Sequence, residues 1–283
     1  MPKKSILDFM EMKQKGEKIT WLTCYDYPTA KMMDQAGLDM ILVGDSVGMV
    51  IYGYPGTVPV KMDQMIYHSE AVRRGAPNVF VIGDMPFLSY HKSVEDAIGN
   101  AGRFYKEAGV DAIKLEGGIR VAPQIRGIVE AGMVVIGHVG LTPQSSGQLG
   151  GFKAQANTAE SAKAVIEDAL AVQEAGAAML VLEAVPAEVA KIITASLRIP
   201  VIGIGAGPYC DGQVLVVSDI LGIFEIFIPK FEKKYANVSE TMLQVFKDYV
   251  RDVREGKFPG LEHANRMKAG ETEKLEKMLK KAR

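Results

Sequence analysis

Two cysteines in 283 residues, Cys24 and Cys210, are too few for a disulfide framework and have no metal-ligand spacing to each other. They read as reduced thiols of a cytosolic protein. Net charge is nearly absent: 33 Lys and Arg stand against 34 Asp and Glu, leaving −1. That balance gives no electrostatic case for a nucleic acid or an anionic membrane as partner. Long hydrophobic runs are missing too, and none approaches the roughly 18–20 residues that a membrane span needs. The opening stretch MPKKSILDFMEMKQKGEK is charged throughout and lacks the apolar centre of a signal peptide. What remains is 48% apolar and 24% charged, the composition of a globular chain with a sizeable core.

One phrase recurs. QAGLDMILVGD (35–45), EAGVDAIKLEGG (107–118), EAGMVVIGHVG (130–140) and EAGAAMLVLEAVP (174–186) each run from Ala-Gly through an apolar stretch to a polar residue. Glycine just past a helix is the usual left-handed stop. The apolar stretches do not alternate, which suits strands buried on both faces. Between them lie helical patterns. SVEDAIGNAGRFYKEAG opens on Ser93 as N-cap, and TAESAKAVIEDALAVQEAG carries apolar positions at helical spacing.

Strand–helix alternation predicts a parallel sheet. Eight strands are expected, at 19–26, 39–45, 78–84, 111–116, 133–139, 177–184, 200–205 and 213–219. Eight strand–helix units in this length match a single-domain (β/α)8 TIM barrel, with an N-terminal helix and extra C-terminal helices. The barrel is expected over 1–268, and a charged helical tail over 269–283. A doubly wound open sheet is the alternative. It concentrates ligand chemistry at one switch point, whereas here polar residues end many strands.

In such a barrel the active site lies at the carboxyl ends of the strands. Those ends carry Tyr25 and Asp26, Asp45 and Ser46, Asp84, Lys114 and Glu116, His138, and Glu183. Several acids around one mouth repel, and a divalent cation compensates; carboxylate oxygens suit Mg²⁺. Asp45 and Asp84, each after a glycine, are therefore expected as metal ligands, the glycines freeing the turn and leaving room near the ion. The bland reading of a single strand-end Asp is a helix cap. Lys114 and Glu116 are two apart and share a strand face. They suit either a barrel-interior ion pair or a substrate-carboxylate contact (Lys114) with metal support (Glu116). His138 is either a core histidine or a site residue. Glu183 ends an apolar strand, where desolvation suits a general base working near pH 7; a Glu paired with a neighbouring cation is the alternative. GIGAGPYCDGQ (203–213) could cradle phosphate, though a lone glycine-rich loop is a weak signal. PQSSGQLGGFKAQAN (143–157) is a candidate lid, entered through Thr142 and Pro143.

TCYDYPTA, GDSVGMVIYGYPGTVPV, GDMPF, KLEGG, GHVGLTPQ, EAVP and GIGAGPYCDGQVLVVSDILG, in this order over about residues 3–265, resemble the ketopantoate hydroxymethyltransferase family. The resemblance implies a (β/α)8 barrel assembled as a homodecamer in the cytoplasm, with one Mg²⁺ per subunit. It implies transfer of a hydroxymethyl group from 5,10-methylenetetrahydrofolate to 3-methyl-2-oxobutanoate, giving ketopantoate for pantothenate and coenzyme A synthesis through a Mg-stabilised enolate. It implies Asp45, Asp84 and Glu116 as metal ligands and Glu183 as proton acceptor. Ser46 and Lys114, beside Asp45, Asp84 and His138, are its implied keto-acid contacts. Cys24 stands where small residues such as Ala are usual in the family. A carbon–carbon lyase or mutase of the phosphoenolpyruvate mutase and isocitrate lyase type is the rival enzyme class. It usually carries a catalytic cysteine in a KKCGH-like loop, and no such loop occurs here. A metal- and keto-acid-binding scaffold without turnover is the non-enzyme alternative.

Overall fold

The computed structural model of the chain describes residues 3–151, 154–224 and 231–281. Eight parallel strands close in chain order. They are β1 (Ile19–Thr23), β2 (Met40–Val43), β3 (Phe80–Asp84), β4 (Ala112–Glu116), β5 (Val135–Gly140), β6 (Met179–Glu183), β7 (Val201–Ile204) and β8 (Gly212–Leu215), and β8 pairs back onto β1. The expected barrel is therefore present, with strands shorter than the sequence suggested at several carboxyl ends.

The helices lie outside the strands. α1 (Ile6–Lys15) precedes the barrel, and α2 (Tyr27–Ala36) joins β1 to β2. The β2–β3 link holds α3 (Val47–Val50) and α4 (Met62–Gly75). Then come α5 (Val94–Arg103), α6 (Ala122–Glu130), the short α7 (Ser146–Leu149) with the long α8 (Ala159–Glu174), and α9 (Ala187–Ser196). The expected cap at Ser93 is made, its hydroxyl accepting from the Asp96 N–H at 3.1 Å; Thr158 caps α8 in the same way, accepting from the Ser161 N–H at 3.2 Å.

The regular alternation fails once. Residues 205–211 carry the chain from β7 to the parallel β8 with no helix between. A parallel crossover normally needs a dozen or more residues. Left-handed Gly205 (φ +63°) and Gly207 (φ +78°) tighten this one. The glycines read as a phosphate cradle thus shape the crossover. After β8 the chain turns at once into α10 (Val217–Leu221), so the strand expected to 219 stops at Leu215.

Two cores result. Between strands and helices sit residues such as Ile41, Val81, Phe104, Ile113, Val172 and Leu180. Inside the barrel, Trp21, Met40, Phe80, Ile82, Ala112, Ile136, Met179, Val181 and Ile202 fill the lumen, with Phe9 and Met12 of α1 packed into it. The Phe9 and Phe80 rings meet edge to face at 5.3 Å.

The amino end of the barrel is closed by a threefold device. Asp39, Asp111 and Asp211 immediately precede β2, β4 and β8. Each accepts a backbone N–H from an adjacent strand: Thr20 (2.8 Å), Val81 (2.9 Å) and Val201 (2.8 Å). Each also pairs with an N-terminal lysine, Lys4, Lys3 and Lys13 respectively. The N-terminal segment is thereby fastened to the strands it plugs.

The barrel belongs to a compact unit of residues 1–235. A second unit, residues 236–283, holds α11 (Val238–Arg254) and α12 (Glu271–Lys281); none of their residues is buried. The boundary expected from the sequence lies later, at 268.

Asp39 yields a stability prediction. Burial alone would raise its pKa, but the Lys4 ammonium and the Thr20 bonds outweigh burial and lower it. A carboxyl lowered on folding stabilises the fold above the ordinary carboxylate pKa of about 4 and loses that contribution as pH falls through its folded value. Asp39→Ala should cost about 2 kcal/mol near pH 7. Thermal melts of both proteins should show the gap narrowing toward pH 3; a gap that is absent at pH 7, or constant with pH, contradicts this.

Candidate active site

Strand parity builds the site. Side chains two apart share a face, and the lumen rows run Phe80–Ile82–Asp84, Ala112–Lys114–Glu116, Ile136–His138 and Met179–Val181–Glu183. Apolar residues fill the depth of the barrel, and charged ones follow at its carboxyl end. The register sets Asp84 opposite Lys114, and Glu116 opposite His138.

The result is a continuous charged chain. Lys114 Nζ donates to Asp84 Oδ1 at 2.7 Å and lies 3.7 Å from Glu116 Oε1. The Asp45 N–H donates to Asp84 Oδ2 at 3.1 Å, so the two aspartates are neighbours, as expected. His138 Nδ1 lies 3.6 Å from Glu116 and Nε2 3.1 Å from Glu183 Oε2. Neither ring nitrogen achieves hydrogen-bond geometry, so these contacts are ion pairs. Asp45, Asp84, Lys114, Glu116 and His138 are each at most 5% exposed.

Burial and mutual charge set the protonation. Burial, then the charges of Asp84 and Glu116, push Asp45 well above the ordinary carboxylate range. Burial raises Asp84 as well, against the pull of Lys114. Burial works against Glu116 too, but His138 and Lys114 prevail and lower it. Burial and Lys114 oppose the His138 cation, yet Glu116 and Glu183 raise its pKa to about 9. The raised pKa favours the imidazolium form of His138, which sits against Glu183.

Four carboxylates, Asp45, Asp84, Glu116 and Glu183, face two cations, Lys114 and His138. With all ionised, two negative charges remain uncompensated in a desolvated mouth. Hard carboxylate oxygens with that excess fit a divalent cation of the Mg²⁺ type. Among the described residues, no three His, Cys, Asp or Glu side chains converge where they could hold one ion together. Lys114 instead reaches both Asp84 and Glu116.

Other expectations change. Asp26 does not join the mouth; it caps α2, accepting from the Thr29 N–H at 2.8 Å. Gly83 leaves room for the Phe104 ring on the outside of the barrel rather than for an ion. Gly44 makes room for Ser46, whose Oγ a Cβ there would approach to 2.9 Å. Tyr25 does join, its hydroxyl 2.8 Å from the Ser46 hydroxyl. In the candidate lid, Pro143 lines the cavity and Gln144 is buried; Phe152 and Lys153 lie outside the described residues.

Gln144 was missed. Its N–H donates to Glu116 Oε2 at 3.0 Å, and its Nε2 to Asp45 Oδ2 at 2.9 Å and to the Met85 carbonyl at 3.0 Å. The Tyr90 hydroxyl donates to Gln144 Oε1 at 2.8 Å and fixes the amide. One residue of the β5 loop therefore positions two acids from β2 and β4. Its sequence signals were its place in GHVGLTPQ and at the start of the candidate lid, with nothing marking the side chain itself.

Asp45, Lys114, Glu116, His138 and Glu183 line a cavity of about 370 Å³ with Thr23, Ser46, Met49, Ile204, Phe224 and Phe231. Ala184, just after Glu183, is left-handed (φ +50°), a conformation that costs a non-glycine residue about 1 kcal/mol and turns the chain off the strand.

A closed barrel with buried acids, a lysine and a histidinium at its carboxyl mouth defines a barrel-enzyme architecture. Solved structures agree on the fold. Phosphonopyruvate hydrolase in complex with oxalate and Mg²⁺ superposes with a TM-score of 0.60 at 15% identity, covering 100% of this chain and 98% of the other. 2,3-Dimethylmalate lyase, a PEP mutase/isocitrate lyase superfamily member, gives 0.57 at 15%, covering 97% and 98%. The family follows from sequence: the ketopantoate hydroxymethyltransferase model matches residues 3–261, and the chain belongs to that family. The 3-methyl-2-oxobutanoate hydroxymethyltransferase of Alkaliphilus metalliredigens is 60% identical over 261 residues, 92% of each chain. That of Heliobacterium modesticaldum is 55% identical over 254 residues, 90% of this chain and 92% of its own.

Proposed function

We infer that this chain is a 3-methyl-2-oxobutanoate hydroxymethyltransferase of pantothenate biosynthesis. It moves the one-carbon unit of 5,10-methylenetetrahydrofolate onto the keto acid to give 2-dehydropantoate. Family membership supports the activity. The observation that carries the mechanism is that Asp45, Ser46, Lys114, Glu116, His138 and Glu183 line one cavity, with Asp84 bonded beneath them.

In this reading Asp45 and Asp84 would hold one Mg²⁺ per chain, and Glu116 would support it in part through water. When bound, the ion supplies Lewis acidity that favours negative charge on the keto oxygen. Lys114 and the Ser46 hydroxyl, the latter steadied by Tyr25, orient the substrate carboxylate. Glu183 takes the C3 proton, and the carbon so activated bonds to the one-carbon unit as its carbon–nitrogen bonds to the folate break, water supplying the hydroxyl oxygen and tetrahydrofolate leaving. His138, paired with both Glu183 and Glu116, fixes the base and balances its charge. Gln144 keeps Asp45 and Glu116 in place.

Exchange of the substrate C3 proton in deuterated water isolates the proton-abstraction step. With Mg²⁺, Glu183→Gln should keep keto-acid binding and lose about 10²–10⁴-fold in exchange. Asp84→Ala should abolish the Mg²⁺ dependence. Normal exchange in Glu183→Gln removes it as the base, and unchanged Mg²⁺ dependence in Asp84→Ala removes Asp84 from the metal site.

A cytoplasmic homodecamer completes the reading. Its support is the family resemblance and the exposed apolar residues of α11, including Leu243, Phe246 and Tyr249. Light scattering should give ten times the chain mass of 30.7 kDa; a monomer mass contradicts assembly.

A further inference from the structure

A keto acid of so few atoms is small beside a cavity of about 370 Å³, and one charged residue there has no task in the mechanism above. Asp219, on α10, lines the cavity and is 8% exposed. It follows β8, which lies across the eight-stranded ring from β4 with its Lys114 and Glu116. Among the described residues its carboxylate accepts no hydrogen bond. Its charged surroundings are Glu232, whose two carboxylate oxygens are buried and unbonded, and Lys234. The cavity wall contributed by the same part of the chain is apolar: Val214, Val216, Phe224 and Phe231.

A carboxylate that is largely removed from water and lacks donors is poorly solvated where it stands. Its position makes sense when a ligand supplies the donors. On the transferase reading, one ligand remains to be placed, the folate cosubstrate. Its pterin is a flat bicycle whose pyrimidine edge presents a ring N–H beside an exocyclic amine. Two adjacent donors match the two oxygens of one carboxylate, and the charged acceptor strengthens both bonds. The remaining face of the ring is apolar and suits two phenylalanines.

We propose that Asp219 is the pterin-recognition residue, accepting from the ring N–H and the 2-amino group of the folate donor, with Phe224 and Phe231 against the ring. This rests on the transferase reading. The one-carbon unit then enters from the β8 side of the mouth, while Lys114 and Glu183 hold the keto acid on the β4–β6 side. Burial, followed by the charge of Glu232, pushes the Asp219 pKa up to about 7, which is consistent with a carboxylate lacking the donors that a bound pterin would bring.

The test separates the two substrates. In Asp219→Asn, KM for 5,10-methylenetetrahydrofolate should rise at least about tenfold, equivalent to 1.4 kcal/mol. KM for the keto acid, and its folate-free C3 exchange with Mg²⁺, should stay within about twofold. Asp219→Glu should recover part of the folate affinity. An unchanged folate KM in Asp219→Asn overturns the proposal, as does an equal loss toward both substrates. The wild-type protein gives a check that does not depend on folding of a variant: a folate donor lacking the 2-amino group should bind at least about tenfold more weakly, and equal binding overturns the assignment. Absence of both exchange and transfer in the wild type would defeat the transferase reading itself, a result distinct from either of these.

Discussion

Lys114 between Asp84 and Glu116 is the constraint on which the site depends. An ammonium buried in a barrel persists only with acids around it. Those acids exceed the cations at hand. Asp45 has no cation of its own; the Gln144 amide donates to its carboxylate, and burial with the charges of Asp84 and Glu116 pushes its pKa well above the ordinary range. The mouth is thus built with surplus negative charge in a dry setting, where electrostatic interactions are strongest. Such a site favours a divalent cation and, through it, a substrate that develops negative charge. The apolar lumen beneath, sealed by Phe9 and the three lysine–aspartate fastenings, keeps water from reaching these groups from below.

The barrel was legible because its signals are local. Ala-Gly endings, apolar runs and cap residues each mark one element, and β-strand parity then carries Lys114, Glu116, His138 and Glu183 to one face. The missing helix between β7 and β8 was misread because two apolar runs with glycines between them look like any other strand pair. Only the short spacing from Ile204 to Gly212 revealed that no helix fits there. Asp26 and Asp45 look alike in sequence, each an acid at a strand end. One faces a helix N-terminus and the other a neighbouring strand, a distinction that only packing makes.

Gln144 and Asp219 show why the rest was hidden. Neither is acidic beside a glycine at a strand end, and neither repeats a pattern. Gln144 matters because the β5 loop folds back over β2 and β4, a long-range contact with no periodicity. Asp219 matters because β8 ends early and α10 turns its first residues toward the mouth. Gly83 carries a related lesson: its bareness serves Phe104 on the outside of the barrel, so a glycine beside a functional acid need not serve the function.

The central claim is that Asp45 and Asp84 leave excess charge that one divalent cation neutralises. Calorimetric titration of metal-free protein with Mg²⁺ tests it most directly. The account predicts saturable binding of one ion per chain in the wild type and at least about tenfold weaker binding in Asp45→Asn. No saturable binding by the wild type, or undiminished affinity in the variant, would contradict it.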